Sequence, residues 1–193
     1  MIRSLVCSAI LALIVGSMLM NSPLSAQNRM LELTYSGNNL WNPGFRLAIV
    51  QDWKEEKTST LLGKERSTSW SKMITAGLYH DVESHTGFYI QAGALYRNVG
   101  EKGWFFDAEL SPLGLYRSFL TETWAVDDNG NVSQVRLPGR TYLAPAAALH
   151  LGKAGKREWF VGGRVMTLLP YNTYILPLLM IELGVRSPLT STK

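Results

Sequence analysis

An all-β chain closed into an antiparallel transmembrane barrel of eight strands is the fold class this sequence predicts, and three observations predict it. Apolar residues recur with period two in segments of about ten residues. The chain opens on an apolar segment of export-signal type. Charged residues repeatedly choose one face of the alternating segments, and aromatic residues gather near the ends of the other.

The opening segment is residues 1–26. Arg3 supplies a positive start, SLVCSAILALIVGSMLM an apolar run, and NSPLSA a cleavage point before Gln27. Read as a signal peptide, it leaves 27–193 as one barrel domain. A retained membrane helix is the rival reading, with an uncharged run near the lower limit of about 17 to 25 residues for spanning. Cys7 opens the apolar run, whereas a lipid-bearing cysteine should follow it. Loss of the segment removes the single cysteine and Arg3 from a chain with 19 Lys and Arg against 15 Asp and Glu. The mature chain then has no disulfide, thiolate metal site or cysteine nucleophile. Its remaining positive balance is small and scattered, unlike the basic stripe that nucleic acid requires.

Strands are expected at 29–36, 43–54, 70–80, 86–98, 103–119, 140–152, 157–168 and 174–187, bounded by clusters of Gly, Asn, Asp, Pro and Lys. GNNLWNPG at 37–44 is a connection with turn chemistry, and it leaves Trp41 available to a membrane interface. GEKG at 100–103 and KAGKR at 153–157 suit tight turns. The long connection 120–139 contains Asn129-Gly130, a pair suited to a turn with positive φ.

Sorting alternate residues separates the faces. In the second segment Phe45, Leu47, Ile49 and Trp53 oppose Arg46, Ala48, Val50 and Asp52. In the fourth, Phe88, Ile90, Ala92, Ala94 and Tyr96 oppose Tyr89, Gln91, Leu95 and Arg97. The fifth sets Trp104, Phe106, Ala108, Leu110 and Pro112 against Asp107, Glu109, Ser111 and Arg117. In the sixth, His150 shares a face with Tyr142 and three alanines. In the last, Ile175, Leu179, Ile181, Leu183 and Val185 oppose Leu176, Leu178, Met180, Glu182 and Arg186.

A soluble sandwich would also alternate, with its ions in water. Three features favour an inside-out barrel instead. Trp53, Tyr96, Trp104, Tyr116 and Trp159 fall near strand ends on the apolar face, as interfacial girdles require. Leu176, Leu178 and Met180 share the charged face, which is therefore not simply wet. An even number of strands of about 9–11 residues follows a signal segment. The interior is then expected to hold Arg46, Arg97, Arg117, Arg164 and Arg186 against Glu32, Asp52, Asp107, Glu109 and Glu182. An eight-stranded barrel is just wide enough for side chains to fill it, so these ions should form a plug and not a pore.

The runs LTYSGNNLWNPGF, HTGFYIQAGALYR, SPLGLYRSFL, LPGRTYLAPAAALHLG and PYNTYILPLLMIELGVR span nearly the whole mature chain. Together they resemble uncharacterised exported outer-membrane β-barrel proteins of Gram-negative bacteria. The resemblance implies a small barrel in the cell outer membrane, with membrane lipid and the barrel-assembly machinery as partners. The chain departs from a common barrel pattern by running past its last strand through Ser187-Pro188 to Lys193 without a terminal aromatic.

Candidate chemistry is sparse. Ser84 precedes His85 in SHTG, but adjacent strand residues point to opposite faces and the stretch lies near a turn, so a loop-polar role is expected. His150 is expected to hydrogen-bond within the plug, and near Asp107 or Glu109 it could become a base. DDNGN lacks calcium-loop spacing, and neither a phosphate-binding glycine loop nor a paired metal-ligand motif occurs, so no metal or cofactor is expected. Pro112, Pro145 and Pro177 interrupt expected strands. Bulges are one reading of Pro112 and Pro145, and a lateral slot admitting a lipid chain is the sharper one. The expected function is a monomeric structural or binding barrel. Its alternatives are a lipid-modifying membrane enzyme of deacylase or acyltransferase type, and a soluble periplasmic barrel carrying an apolar ligand.

Overall fold

A computed structural model of the protein describes residues 29–38, 42–59, 65–81, 85–120, 123–127, 129–135, 138–171 and 174–189. Residues 1–26, Trp41 and Ser84 lie outside them. The strands are β1 (Arg29–Asn38), β2 (Gly44–Ser59), β3 (Glu65–Asp81), β4 (His85–Val99), β5 (Trp104–Leu120), β6 (Trp124–Val126), β7 (Val132–Gln134), β8 (Thr141–Leu143), β9 (Ala146–Lys153), β10 (Glu158–Tyr171) and β11 (Tyr174–Pro188). β6 and β7 form a separate hairpin. β8 and β9 are two pieces of one wall strand, so the wall has eight members, in the order β11, β1, β2, β3, β4, β5, β8 with β9, and β10, which returns to β11. Neighbours are antiparallel throughout.

The ring closes where β1 meets β11, from Asn38 opposite Met180 to Met30 opposite Pro188. Leu189 N–H then donates to the Arg29 carbonyl at 2.9 Å. Closure leaves the barrel wall no open side to template foreign pairing, and it satisfies the backbone of the closed wall without help from water. Pro177 sits in β11 beyond the last residue paired with β1, where no donor is required on that side.

Polarity is inverted relative to a soluble domain. Arg46 and Glu182 are 0% exposed, whereas Leu183 is 59% and Leu149 57% exposed. Only a low-dielectric surrounding makes that distribution favourable, and the fold is a transmembrane β-barrel. Trp53, Trp70, Tyr96, Trp104 and Trp159 ring its lower end, near the turns at 100–103 and 154–157. Two contacts tie this girdle together, Trp104 to Trp159 at 5.6 Å and Trp70 to Tyr96 at 5.1 Å between ring centroids. Tyr35 and Phe45, 6.1 Å apart, mark the upper end with Phe88 and Tyr174. Phe45 and Trp53 are separated by about 27 Å of strand, which a tilt of about 40° reduces to roughly 20 Å, near the apolar band of about 25 Å typical of such barrels.

One irregularity changes the reading of β5. Ala92 faces Leu113 and Ala94 faces Leu110, so Gly93 alone opposes two residues, Ser111 and Pro112. Pro112 and Leu113 are consecutively exposed, and beyond them the inward set switches from odd to even positions. Tyr116, expected on the outer face, is therefore inside and 1% exposed. Arg117, expected inside, turns toward Thr141 Oγ1 at 3.1 Å and lies over the Phe119 ring at 5.5 Å. Gly93 is required here because a Cβ would stand 2.6 Å from Ser111 Cα. Pro145 lies in the break between β8 and β9, where Ala144 N–H donates to Gly114 O at 2.9 Å and Pro145 O accepts from Thr167 N–H at 2.9 Å.

The β6–β7 turn is organised by Asp127. Its Oδ1 accepts from the N–H groups of Asn129 at 2.9 Å and Asn131 at 2.8 Å, and its Oδ2 accepts from the Asn131 amide at 2.9 Å. Gly130 supplies the positive φ of 82°. The Asn131 side-chain amide first, then the backbone N–H groups, hold the Asp127 carboxyl below its ordinary value of 3.8. A depressed carboxyl contributes stability above its unfolded value and loses it as pH falls through the folded one. The Asn131 amide proton resonance should therefore stay constant at neutral pH and move only below about 3.8. In Asp127→Asn it should show no acid titration.

Candidate functional site

The lower interior holds a continuous ionic network beside a small apolar cluster of Ala48, Val50, Met73 and Leu95. Arg164 reaches Glu182 Oε1 through Nε at 2.9 Å, Glu109 Oε2 through Nη2 at 2.5 Å and Gln91 Oε1 through Nη1 at 3.0 Å. Arg46 meets Glu32 Oε1 at 2.5 Å and Glu182 Oε1 at 3.0 Å. Arg186 donates to Glu32 Oε2 from Nη2 at 2.6 Å and to Asp107 Oδ2 from Nη1 at 3.0 Å. Arg97 grips Asp107 with two bonds of 2.8 and 2.9 Å and reaches Glu158 at 2.8 Å. Such forked pairs satisfy several buried lone pairs at once, which burial of charge demands. Arg97 over Phe105 at 4.2 Å and Arg186 over Phe160 at 5.1 Å add aromatic contacts at the lower end.

The described network holds four guanidiniums against five carboxylates, and His150 joins at the crowded acid. Its Nε2 stands 2.7 Å from Glu182 Oε2. An ionised carboxylate only accepts, so Nε2 carries the hydrogen. Nδ1 is buried and meets no hydrogen-bond partner among the described residues.

Above the ions the filling changes character. Tyr79, Tyr116, Tyr142, Met166, Leu168 and Met180 form an apolar collar. Four tyrosines cross it in a row, with centroids 6.1 Å apart from Tyr79 to Tyr116, 6.1 Å to Tyr142 and 5.5 Å to Tyr171. Gly87 makes the crossing possible, since a Cβ there would lie 2.6 Å from both Tyr79 Cε1 and Tyr116 Oη. On the collar rests an open cup of about 420 Å³ whose polar rim includes Asn38, Asn42, Asp81, His85, Ser118 and Arg140. A volume of this size suits a small ligand.

Three polar atoms form a triangle in the cup. Tyr79 Oη lies 2.8 Å from Tyr116 Oη and 3.1 Å from His85 Nε2, and His85 Nε2 lies 2.8 Å from Tyr116 Oη. Counting hydrogens shows what it can offer. If Nε2 accepts, both phenol hydrogens are used within the triangle. If Nε2 carries a hydrogen, one phenol O–H is released toward the cup. The cluster can therefore present either an acceptor or a donor to a guest.

The expected interior residues separate on this geometry. Glu32, Arg46, Arg97, Asp107, Glu109, Arg164, Glu182 and Arg186 come together, and His150 joins them. Asp52 is half-buried at the lower end and accepts from Ser71 Oγ at 2.5 Å, outside the arginine cluster. Arg117 is outside it because of the β5 bulge. Glu158 was missed although it shares parity with Arg164 six residues along β10. His85, expected in a loop-polar role, belongs to the cup: register sets it opposite Asp81 and sets Gly87 opposite Tyr79. His85 Nε2 meets two phenols and His150 Nε2 a carboxylate. No group of three or more His, Cys, Asp or Glu side chains suited to a metal ion occurs among the described residues.

No family model matches the chain, and no curated protein matches it. Among solved structures it is similar to the outer membrane enzyme PagL, at 12% identity and a TM-score of 0.48 over 83% of this chain and 99% of that one. It is also similar to Neisserial surface protein A, at 14% identity and 0.39 over 83% and 94%. The Yersinia pestis outer membrane protein Ail is similar at 10% and 0.34 over 83% and 99%.

Proposed function

We propose that the protein is exported by residues 1–26, folds through the barrel-assembly machinery into the outer membrane as a monomer, and serves as a binding barrel that does not conduct. One observation carries this reading: the lumen is closed by paired ions and by the tyrosine collar, and a cup opens at the mouth above them. Four arginines held in two or more contacts each occupy the section that an ion would have to cross. The apolar exterior between two girdles supports integral insertion over a soluble carrier.

Two measurements test it. In planar bilayers the purified barrel should give no steady current, and large persistent conductance would overturn the plug. In cell fractions it should resist extraction by high salt and be released by detergent, whereas release by salt alone would favour the soluble carrier. The enzyme reading needs a base aligned on a nucleophile. His85 Nε2 is directed at two phenols and His150 Nε2 at a carboxylate, an arrangement that favours binding over catalysis.

A further inference from the structure

We propose that the cup above the tyrosine collar holds one neutral sugar ring, with its C–H face against Tyr171 and Leu178 and its hydroxyls on Asn38 and on the triangle of Tyr79, His85 and Tyr116. This rests on the binding reading and names the chemistry of the guest.

The first indication is an amide left without a bond. Asn38 continues the inward parity of Glu32, Thr34 and Ser36 along β1 and is 5% exposed. Its main chain is already used, since its N–H donates to the Asn42 carbonyl at 3.0 Å and its carbonyl accepts from Asn42 N–H at 3.1 Å. The residue lines the cup, and its side-chain Oδ1 meets no donor among the described residues. A buried acceptor left unpaired costs stability, and a guest that donates to it recovers that cost. The last torsion of an asparagine is broad, so a turn about it brings the amide to the guest.

The triangle selects the same kind of group. It offers an acceptor in one state of His85 and a donor in the other. A hydroxyl both donates and accepts through one oxygen, so it satisfies either state and the Asn38 amide as well. An ion is not called for. Among the described lining residues the carboxylate and the guanidinium, Asp81 and Arg140, are opposite in sign, and each already has a partner. Ser118 Oγ is also committed, accepting from Arg140 N–H at 3.0 Å and donating to the Arg140 carbonyl at 3.3 Å.

Part of the lining is apolar. Tyr171, Leu176 and Leu178 are half-buried and pack on the collar, with the Tyr171 ring 5.5 Å from that of Tyr142. A wholly apolar guest would cover Asn38 and leave its amide unpaired for good. A pyranose has both surfaces, a face of C–H groups for the aromatic and leucine side and an edge of hydroxyls for the polar side. The volume of about 420 Å³ lies at the small end of ligand pockets, which suits a ring better than a long chain.

The test is saturation-transfer NMR on the full barrel in phosphatidylcholine nanodiscs prepared without sugar detergents. The probes are the methyl glycosides of glucose, galactose and mannose, and core oligosaccharide released from lipopolysaccharide. At least one should bind saturably in the millimolar range or tighter, with transfer strongest to protons on one C–H face. Equal affinity for glycoside and oligosaccharide would assign the cup to free sugars, and tighter binding of the oligosaccharide to the end of a membrane glycan. Asn38→Ala should weaken binding about fivefold, the effect of one neutral hydrogen bond, and Tyr171→Ala should weaken it and erase the facial pattern. Hexanol and inorganic phosphate should not compete. A heat-modifiable gel shift establishes that each variant is folded. Folded Asn38→Ala and Tyr171→Ala barrels that bind like the parent would overturn the site, as would displacement of the sugar by hexanol or phosphate at lower concentration. A folded, non-conducting parent that binds none of the probes would overturn the sugar alone, whereas a steadily conducting parent would defeat the closed lumen on which the binding reading stands.

Discussion

Arg164→Met should lower the unfolding free energy by about 3 to 5 kcal/mol, the usual cost of removing one partner from a buried ionic set. Arg164 is 1% exposed and ties together three elements through Glu182, Glu109 and Gln91. Methionine replaces much of its volume but none of its charge. Glu109 then keeps only the longer contact to Arg46 at 3.6 Å and a bond from Ser111 at 2.9 Å. Urea unfolding in lipid vesicles, followed by tryptophan fluorescence, reads the change. A shift within about 0.5 kcal/mol would mean that water already solvates the interior.

Ile181→Arg tests the opposite side of the wall and should cost about 1 to 3 kcal/mol in vesicles, the depth-dependent penalty for a cation on the lipid face of a barrel. Ile181 is the central residue of β11, exposed, with Gly163 and Gly37 as its cross-strand partners. In a soluble barrel the same position would face water, and an added arginine there would change stability by about 0.5 kcal/mol or less. The same vesicle titration therefore separates the two environments at one residue.

The wall was legible in the sequence because a period of two is a local property. Phe45, Leu47 and Ile49 against Arg46, Ala48 and Val50 fix both the strand and its inner face, and the eight expected segments correspond to the eight wall strands. Parity failed where locality failed. Nothing between Trp104 and Leu120 except Pro112 announces that one residue is extra, and one residue is enough to exchange Tyr116 with Arg117. Glu158 carried a usable signal in its even spacing from Arg164. The Tyr79, His85 and Tyr116 triangle carried none, because it depends on the registers of β3, β4 and β5 together, and register is decided across strands.

The seam between β1 and β11 also dictates an order of events. Glu32 and Arg186 stand 154 positions apart along the chain, and Ser36 and Glu182 stand 146 apart. Glu32 meets Arg46 from the neighbouring strand, but its second partner Arg186, and the Ser36 bond to Glu182, arrive only with the final hairpin. Until then Glu109 on β5 lacks Arg164 of β10, its short partner, and that charge on the concave side keeps the hollow hydrated and opposes early collapse. Contacts so remote in sequence make assembly slow. Docking of the last strand neutralises the hollow and expels its water in one cooperative act, so the arginines serve as a lock that only a complete chain can turn.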